Sequence, residues 1–220
     1  MSSPPPLPRR VVMVVTSPVE LFERLKERPV ALGAMVLGAF LVGAAAAVLP
    51  VELMQEVFRE QMIEAGQDPG EMSATAARVA WVFAVFGPLL FWPLLAVITA
   101  GVYTVIFLFL FGYEGSFRQL LSISAHALLV AALGTLLIAP LRVMTGDPQL
   151  TLSVGSFFFF LPDGFLLRFL ELLDLFNLWT YFLVGIGAAV VDGSRSRSEG
   201  AMVAVGAAVL LSLVIAALLG

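Results

Sequence analysis

The side chain best suited to chemistry in this chain is His126, the only histidine. It falls well inside a long apolar segment that also carries Ser122 and Ser124, and the preceding apolar segment carries Thr99 and Tyr103. An ionisable group inside a membrane span is a functional candidate by default. These five residues therefore form a candidate polar intramembrane site, which could relay a proton or bind a substrate headgroup. The alternative is a neutral imidazole that is hydrogen-bonded to a neighbouring helix.

Other chemistry has little support in the sequence. The chain has no cysteine and no second histidine, and it lacks a nucleophile elbow, an HExxH motif and a glycine-rich phosphate loop. A metal site needs three or four ligands, which these residues do not supply. We therefore predict no enzyme activity, no catalytic residue, no metal site and no cofactor.

A row of carboxylates recurs at every fourth position after the first apolar segment, at Glu52, Glu56, Glu60 and Glu64. Such a row could attract cations to the rim of a membrane protein. Carboxylates spaced along one helix face do not converge on an ion, however. The pattern favours a helix that rests on the bilayer with its acidic side in water.

The composition explains which elements must hold these residues. Apolar residues make up 60% of the chain and charged residues 13%, against about 45–50% and 25% in soluble domains. The apolar residues lie in long blocks, which is typical of membrane spans. We predict an all-α, polytopic membrane helix bundle with about five transmembrane helices plus short interfacial amphipathic helices. Membrane lipids are expected partners, and nucleic acid is not, because the net charge is −4 and no basic stripe is present.

The predicted organisation is a disordered cytoplasmic tail over residues 1–16, followed by a single membrane domain over residues 17–220. The predicted spans are residues 30–49, 79–111, 117–138, 175–191 and 201–219. A cleaved signal peptide competes with the first span, but the charged region ahead of it is too long. Residues 79–111 exceed the length of one span and contain Pro88 and Pro93. One kinked helix is preferred there over a hairpin of two short spans.

Two further segments have the pattern of amphipathic helices. SPVELFERLKERP, which starts at Ser17, begins with capping signals and places Leu21, Phe22 and Leu25 on one face. This pattern predicts a short helix that lies on the membrane, and a solvated helix is the alternative. FLLRFLELLDLF, which starts at Phe165, follows a phenylalanine cluster suited to the membrane interface and leads into the fourth span.

The distribution of Lys and Arg predicts the orientation of the chain. With five spans and a cytoplasmic N-terminus, eight of the 12 basic residues are cytoplasmic and four are outside. The eight are Arg9, Arg10, Arg24, Lys26, Arg28, Arg118, Arg195 and Arg197. The hairpin alternative gives a weaker division of seven and five. The count therefore favours an N-terminus inside and a C-terminus outside.

Small residues recur at every fourth position in the last two spans. The predicted helix-packing residues are Gly185, Ala189 and Gly193 in span four, and Gly200, Ala204, Ala208, Ser212, Ala216 and Gly220 in span five. Stripes of this kind allow helix backbones to approach closely in a membrane. The stripes either face each other or face a second copy in a homo-oligomer.

Three segments together resemble the YIP (Ypt-interacting-protein) family of multi-pass membrane proteins in its bacterial form. They are SPVELFERLKERP, GYEGSFRQLLSISAHALL (Gly112 to Leu129) and LLDLFNLWTYFLVGIGAAV (Leu172 to Val190). Their order covers nearly the whole chain from Ser17 onward. In one departure, span three has Pro140 at its end rather than a proline near its middle.

The resemblance implies five spans, a cytoplasmic N-terminus and a bacterial inner membrane location. Eukaryotic relatives take part in vesicle trafficking and contact Rab-type GTPases, a role that is not transferred to a bacterial-type chain. We expect a non-enzymatic, membrane-organising or protein-interaction role, with a protein partner at the cytoplasmic N-terminal helix. The alternative is a small-molecule or ion transporter, channel or lipid scramblase that uses the polar groups of spans two and three.

Overall fold

A computed structural model describes residues 4–68 and 72–219 of the chain, and the predicted all-α fold is confirmed. Within these residues the helices are α1 (Leu7–Thr16), α2 (Pro18–Glu27), α3 (Leu32–Ala47), α4 (Val51–Glu64), α5 (Met72–Phe86), α6 (Pro88–Phe111), α7 (Phe117–Thr145), α8 (Phe165–Glu171), α9 (Leu175–Asp192) and α10 (Arg197–Leu219). Gly220, the last member of the predicted stripe, lies outside the described residues.

Four described helices are long and apolar enough to cross a membrane: α6, α7, α9 and α10. The first predicted span corresponds to α3, which has 16 residues and qualifies only together with α4, from which it is bent by 79°. The described chain therefore has four candidate spans, or five when this bent pair counts as one. Five is the number that the sequence predicted.

Residues 79–111, which were expected to form one kinked helix, belong to two consecutive helices, α5 and α6. The helix is interrupted at Gly87, so the candidate span is α6 alone and α5 is a shorter apolar helix. The Gly87 amide still donates to the Phe83 carbonyl at 2.7 Å, and the Phe91 amide donates to the Gly87 carbonyl at 2.9 Å. Helical hydrogen bonds on both sides of Gly87 show that the chain does not turn back there as a hairpin.

The N-terminal segment is helical, so the predicted disorder over residues 1–16 is wrong where the structure describes them from α1 onward. Residues 1–3 lie outside the described part. The prolines at the start of the chain are compatible with this helix, because Pro6 precedes α1 and Pro8 lies in its first turn. A proline in the first turn removes an amide that has no helical acceptor, so it does not disfavour the helix.

The apolar face of α2 is covered by protein rather than by lipid, which corrects the predicted interfacial position. Leu21, Phe22 and Leu25 are completely buried in a core that includes residues of α7 and α9. In contrast, Glu52, Glu56 and Glu60 are exposed on α4, as expected of a solvated acidic face; nothing is described of the Glu64 side chain.

The bundle is built around α7, which contacts α3, α6 and α9, while α9 also packs on α10. Every residue of α7 from Ser122 to Ala132 is buried, so its polar side chains must find partners inside the protein. The outer faces of α6 and α10 expose large apolar side chains, as lipid contact requires.

Candidate functional site

The predicted polar residues do not converge on one cavity. The Tyr103 hydroxyl points from α6 to α10, where it donates to the Ala204 carbonyl at 2.9 Å. Ser122 and His126 contact the N-terminal segment instead, at Val30 and Arg10. Thr99 is buried on α6. The Ser124 hydroxyl is buried without a hydrogen-bond partner among the described residues. The structure therefore brings Ser122 and His126 together and separates them from Tyr103.

His126 contacts the N-terminal helix α1. Its imidazole is fully buried, with Nδ1 2.7 Å from the Ser122 carbonyl and Nε2 2.9 Å from Nη1 of Arg10. A guanidinium can only donate, so Nε2 must accept and Nδ1 must carry the proton that is donated to Ser122. This arrangement requires the neutral imidazole. His126 is thus an acceptor for a cation from another helix.

Arg10 reaches His126 because of its position on α1. Met13 and Val14 lie three and four residues further on, and both are buried, so these three residues share the face that packs on the bundle. Burial lowers the pKa of the Arg10 guanidinium. Its Nε is buried without an acceptor, and no carboxylate pairs with it within the described part of the chain. The buried imidazole is therefore its main fixed partner.

The start of α7 also fixes the connection between α2 and α3. The Ser122 hydroxyl donates to the Val30 carbonyl at 2.9 Å and accepts from the Val30 amide at 3.1 Å. One turn earlier, Nε2 of Gln119 donates to the Lys26 carbonyl at 2.8 Å. The connection after Glu27 leaves backbone groups without helical partners, and these side chains satisfy them.

Gln119, Ser122 and His126 therefore form one polar stripe on α7, which we call the α7 clamp. Their spacing of three and four residues places them on the same helix face. Sequence reasoning identified Ser122 and His126 but missed Gln119 and Arg10. The spacing of Gln119 was visible in the sequence, whereas no sequence signal identified Arg10, which lies 116 residues from His126.

A polar groove lies beside α2, at the end of the bundle where α9 ends. It has a volume of about 510 Å³, and its charged lining residues are Glu23, Lys26, Glu27, Arg195 and Arg197. Nζ of Lys26 donates to the Val190 carbonyl at 3.1 Å, which holds α2 against the end of α9. Arg197 lies 3.7 Å from Glu23 across the groove, and both side chains are largely exposed.

The small residues of α9 and α10 meet at the same end. A Cβ atom on Gly185 would lie 2.3 Å from the Gly200 carbonyl oxygen, and one on Gly200 would lie equally close to Gly185. Ala204 and Ala216 are fully buried, Ala189 and Ala208 are nearly so, and Ser212 is half-buried. Gly193 ends α9 with φ +75°. Part of the predicted stripe thus lies inside the protomer, between α9 and α10.

Among the described residues, no group of three or more His, Cys, Asp or Glu side chains is placed to hold a metal ion. The α7 clamp forms hydrogen bonds with the backbone of Lys26 and Val30 and with the Arg10 guanidinium. Its geometry is that of a structural junction between the N-terminal helices and the membrane bundle.

Comparisons with known proteins give the following results. Residues 12–219 match the family model of the Yip1 domain. The membrane protein YknW of Bacillus subtilis (strain 168) is 26% identical over 197 residues, which cover 84% of this chain and 79% of that protein. No solved structure matches the chain.

Proposed function

Because this chain belongs to the Yip1 domain family, we propose that it is a non-enzymatic membrane protein that organises the membrane by binding protein partners at its cytoplasmic end. The family membership confirms the resemblance that the sequence suggested. Its relative YknW is a bacterial membrane protein, which supports a location in a bacterial inner membrane.

The observation that carries the proposal is the docking of α2. Its apolar face is completely buried against the bundle, so its charged face is held outward in a fixed orientation. Glu20, Glu23 and Glu27 are exposed on that face. A helix held in this way presents side chains at little entropic cost, which favours recognition of a partner.

The groove between α2 and the start of α10 is the surface proposed to bind the partner. It combines three basic and two acidic side chains with apolar atoms of Ala189 and Val190. Charges of both signs around a small apolar floor suit a peptide segment better than an isolated ion. A second copy of the chain could supply such a segment as well as an unrelated protein, so the proposal includes a homo-oligomer.

The proposed orientation is supported by the segments that share one end of the bundle. The contact of Lys26 with Val190 places the N-terminal helices at the same end as the loop between α9 and α10. Arg195 and Arg197 belong to this end, as do the basic residues Arg24 and Lys26 of α2. The end richest in Lys and Arg is expected to be cytoplasmic. The proposed topology has the N-terminus inside and the C-terminus outside.

Transport is not favoured as the function. A transporter of this size would need polar side chains that converge on a wet cavity, usually near broken helices. Here the Tyr103 hydroxyl bonds to α10, whereas the His126 imidazole bonds to Arg10 of α1. The groove of about 480 Å³ beside the break at Gly87 is lined mainly by apolar side chains.

Site-specific photocrosslinking in living cells tests the proposal. A photoreactive amino acid at Glu27, on the groove, is expected to capture protein, whereas the same group at Val36, an exposed apolar position on α3, is expected to capture lipid. Differently tagged copies distinguish self-association from a second protein. The proposal fails if Glu27 captures no protein although the variant inserts and accumulates normally.

A further inference from the structure

The aromatic segment between α7 and α9 lies at the end of the bundle opposite to the groove. It contains Phe157, Phe159 and Phe160, which are 59%, 85% and 67% exposed, and then the short helix α8. Exposure of this degree in neighbouring phenylalanines is rare on a surface that faces water. What covers them can be deduced from the depth at which the segment lies.

Contacts between α7 and α9 give the register of the two antiparallel helices. Near the end of α9, a Cβ on Gly187 would lie 2.4 Å from the Ile123 side chain of α7. Further along, the Thr180 hydroxyl of α9 lies 3.3 Å from the Ala127 carbonyl of α7. At the start of α9, the Phe176 ring would lie 2.2 Å from a Cβ on Gly134 of α7. The start of α9 is therefore level with Gly134. Beyond that level, α7 continues to Thr145, which is about 16 Å further along its axis.

The position of the membrane can be estimated from the other end of α7. The Lys26 carbonyl accepts from the Gln119 side chain of α7, and the Lys26 ammonium donates to the Val190 carbonyl of α9. The polar ends of α7 and α9 are therefore level there. A hydrocarbon core of about 30 Å corresponds to about 20 helical residues. Counted from Gln119, the core ends near Ala139. The start of α9 is then about 7 Å inside the hydrocarbon boundary.

Since α9 has only 18 residues, about 27 Å, the chain just before it must itself enter the leaflet. The backbone of that chain is suited to this depth, because the Val154 amide donates to the Leu173 carbonyl and the Leu175 amide donates to the Leu152 carbonyl, both at 2.9 Å. Asp174 accepts from the Asn177 amide at 2.8 Å and caps α9. Backbone at membrane depth needs such internal partners.

We infer that residues 151–174 form a re-entrant segment that inserts its phenylalanine cluster into the leaflet opposite to the N-terminal helices, where lipid acyl chains cover Phe159 and Phe160. The segment completes the span that α9 is too short to cross. Leu137, on the part of α7 beyond the level where α9 starts, is 67% exposed, which indicates that the same lipid surface continues along α7. This inference concerns lipid contact and does not depend on the proposed protein partner.

The chain has no cysteine, so single-cysteine variants can carry a spin label without changing any other position. We would label Phe159→Cys in lipid nanodiscs and compare its collision rates with oxygen, which concentrates in lipid, and with a water-soluble nickel complex. Leu137→Cys is the control for lipid contact. Gln149→Cys, an exposed position between α7 and the phenylalanine cluster, is the control for water.

The expected result is an oxygen-to-nickel ratio at residue 159 that is severalfold above that at residue 149 and close to that at residue 137. A ratio like that of residue 149 would overturn the inference. Protection from both reagents with spin–spin broadening between labels would also overturn it, because a second copy would then cover the cluster. Circular dichroism and elution volume establish that each variant is folded.

Discussion

Replacing His126 by Ala is expected to release α1 from the membrane domain. The substitution removes the acceptor that lies 2.9 Å from the Arg10 guanidinium and leaves that cation part-buried with no carboxylate nearby among the described residues. A hydrogen bond to a charged group contributes about 1.5–3 kcal/mol. Since about 1.4 kcal/mol is a factor of ten in population, the open state of α1 should increase by about 10- to 150-fold.

Hydrogen exchange followed by mass spectrometry measures this opening directly. Amides of α1 exchange through local opening, so their exchange rates should rise by the same factor while those of α9 change little. Ser124→Ala is the matched control, because its buried hydroxyl has no partner among the described residues and its loss leaves nothing unpaired. His126→Gln, which retains an acceptor near the position of Nε2, should restore part of the protection.

Two results would contradict a specific role of His126 in holding α1. Unchanged exchange in α1 of the His126→Ala protein would mean that the contact with Arg10 does not hold the helix. Equal acceleration in every helix would mean that the imidazole supports the whole bundle, and that the α7 clamp has no specific role at the N-terminal junction.

Four further substitutions, one of which is a control, test the packing of the bundle. Gly200→Ala should destabilise the protein by about 1–3 kcal/mol through overpacking, as measured by steric trapping or denaturation. Gly206→Ala is the control in the same assay. It should be neutral or stabilising, because a Cβ there has no neighbour within 4 Å. Tyr103→Phe should cost about 1 kcal/mol, because it removes the hydrogen bond from the hydroxyl to the Ala204 carbonyl of α10, and an unchanged unfolding midpoint would contradict that contact. Gly38→Ala should displace the Trp92 indole, since a Cβ would lie 2.1 Å from its Nε1; a shift in tryptophan fluorescence would report it, and an unaltered spectrum would not fit.

The spans were predictable because length and hydropathy alone define them. The predicted segments 117–138, 175–191 and 201–219 correspond to α7, α9 and α10. The predicted third span ended at residue 138, whereas α7 continues past Pro140 to Thr145. A proline removes one backbone donor, and a membrane helix can continue past it when neighbouring groups compensate.

The position of α2 could not be deduced from its pattern. An apolar stripe shows that a helix buries one face, but the same stripe suits a lipid surface and a protein surface. Leu21, Phe22 and Leu25 were correctly placed on one face, and only the fold shows that α7 and α9 cover it.

The candidate site was predictable only in its local part. His126 stood out as an ionisable group in an apolar segment, and Ser122 lies four residues before it on the same face. The partner that gives the imidazole its role is Arg10, which comes from a segment that was predicted to be disordered. A contact over such a distance in sequence depends on tertiary packing, and a single sequence does not record it.

The central claim is that the N-terminal helices are a fixed part of the membrane domain and form one wall of the groove. Crosslinking of Glu23→Cys to Arg197→Cys with a short bismaleimide in native membranes tests it most directly, because these side chains lie 3.7 Å apart. We expect a crosslinked peptide pair in mass spectra, and none for Glu23→Cys with Gln149→Cys at the opposite end. Absence of the first pair, although each thiol reacts with a single maleimide, would contradict it.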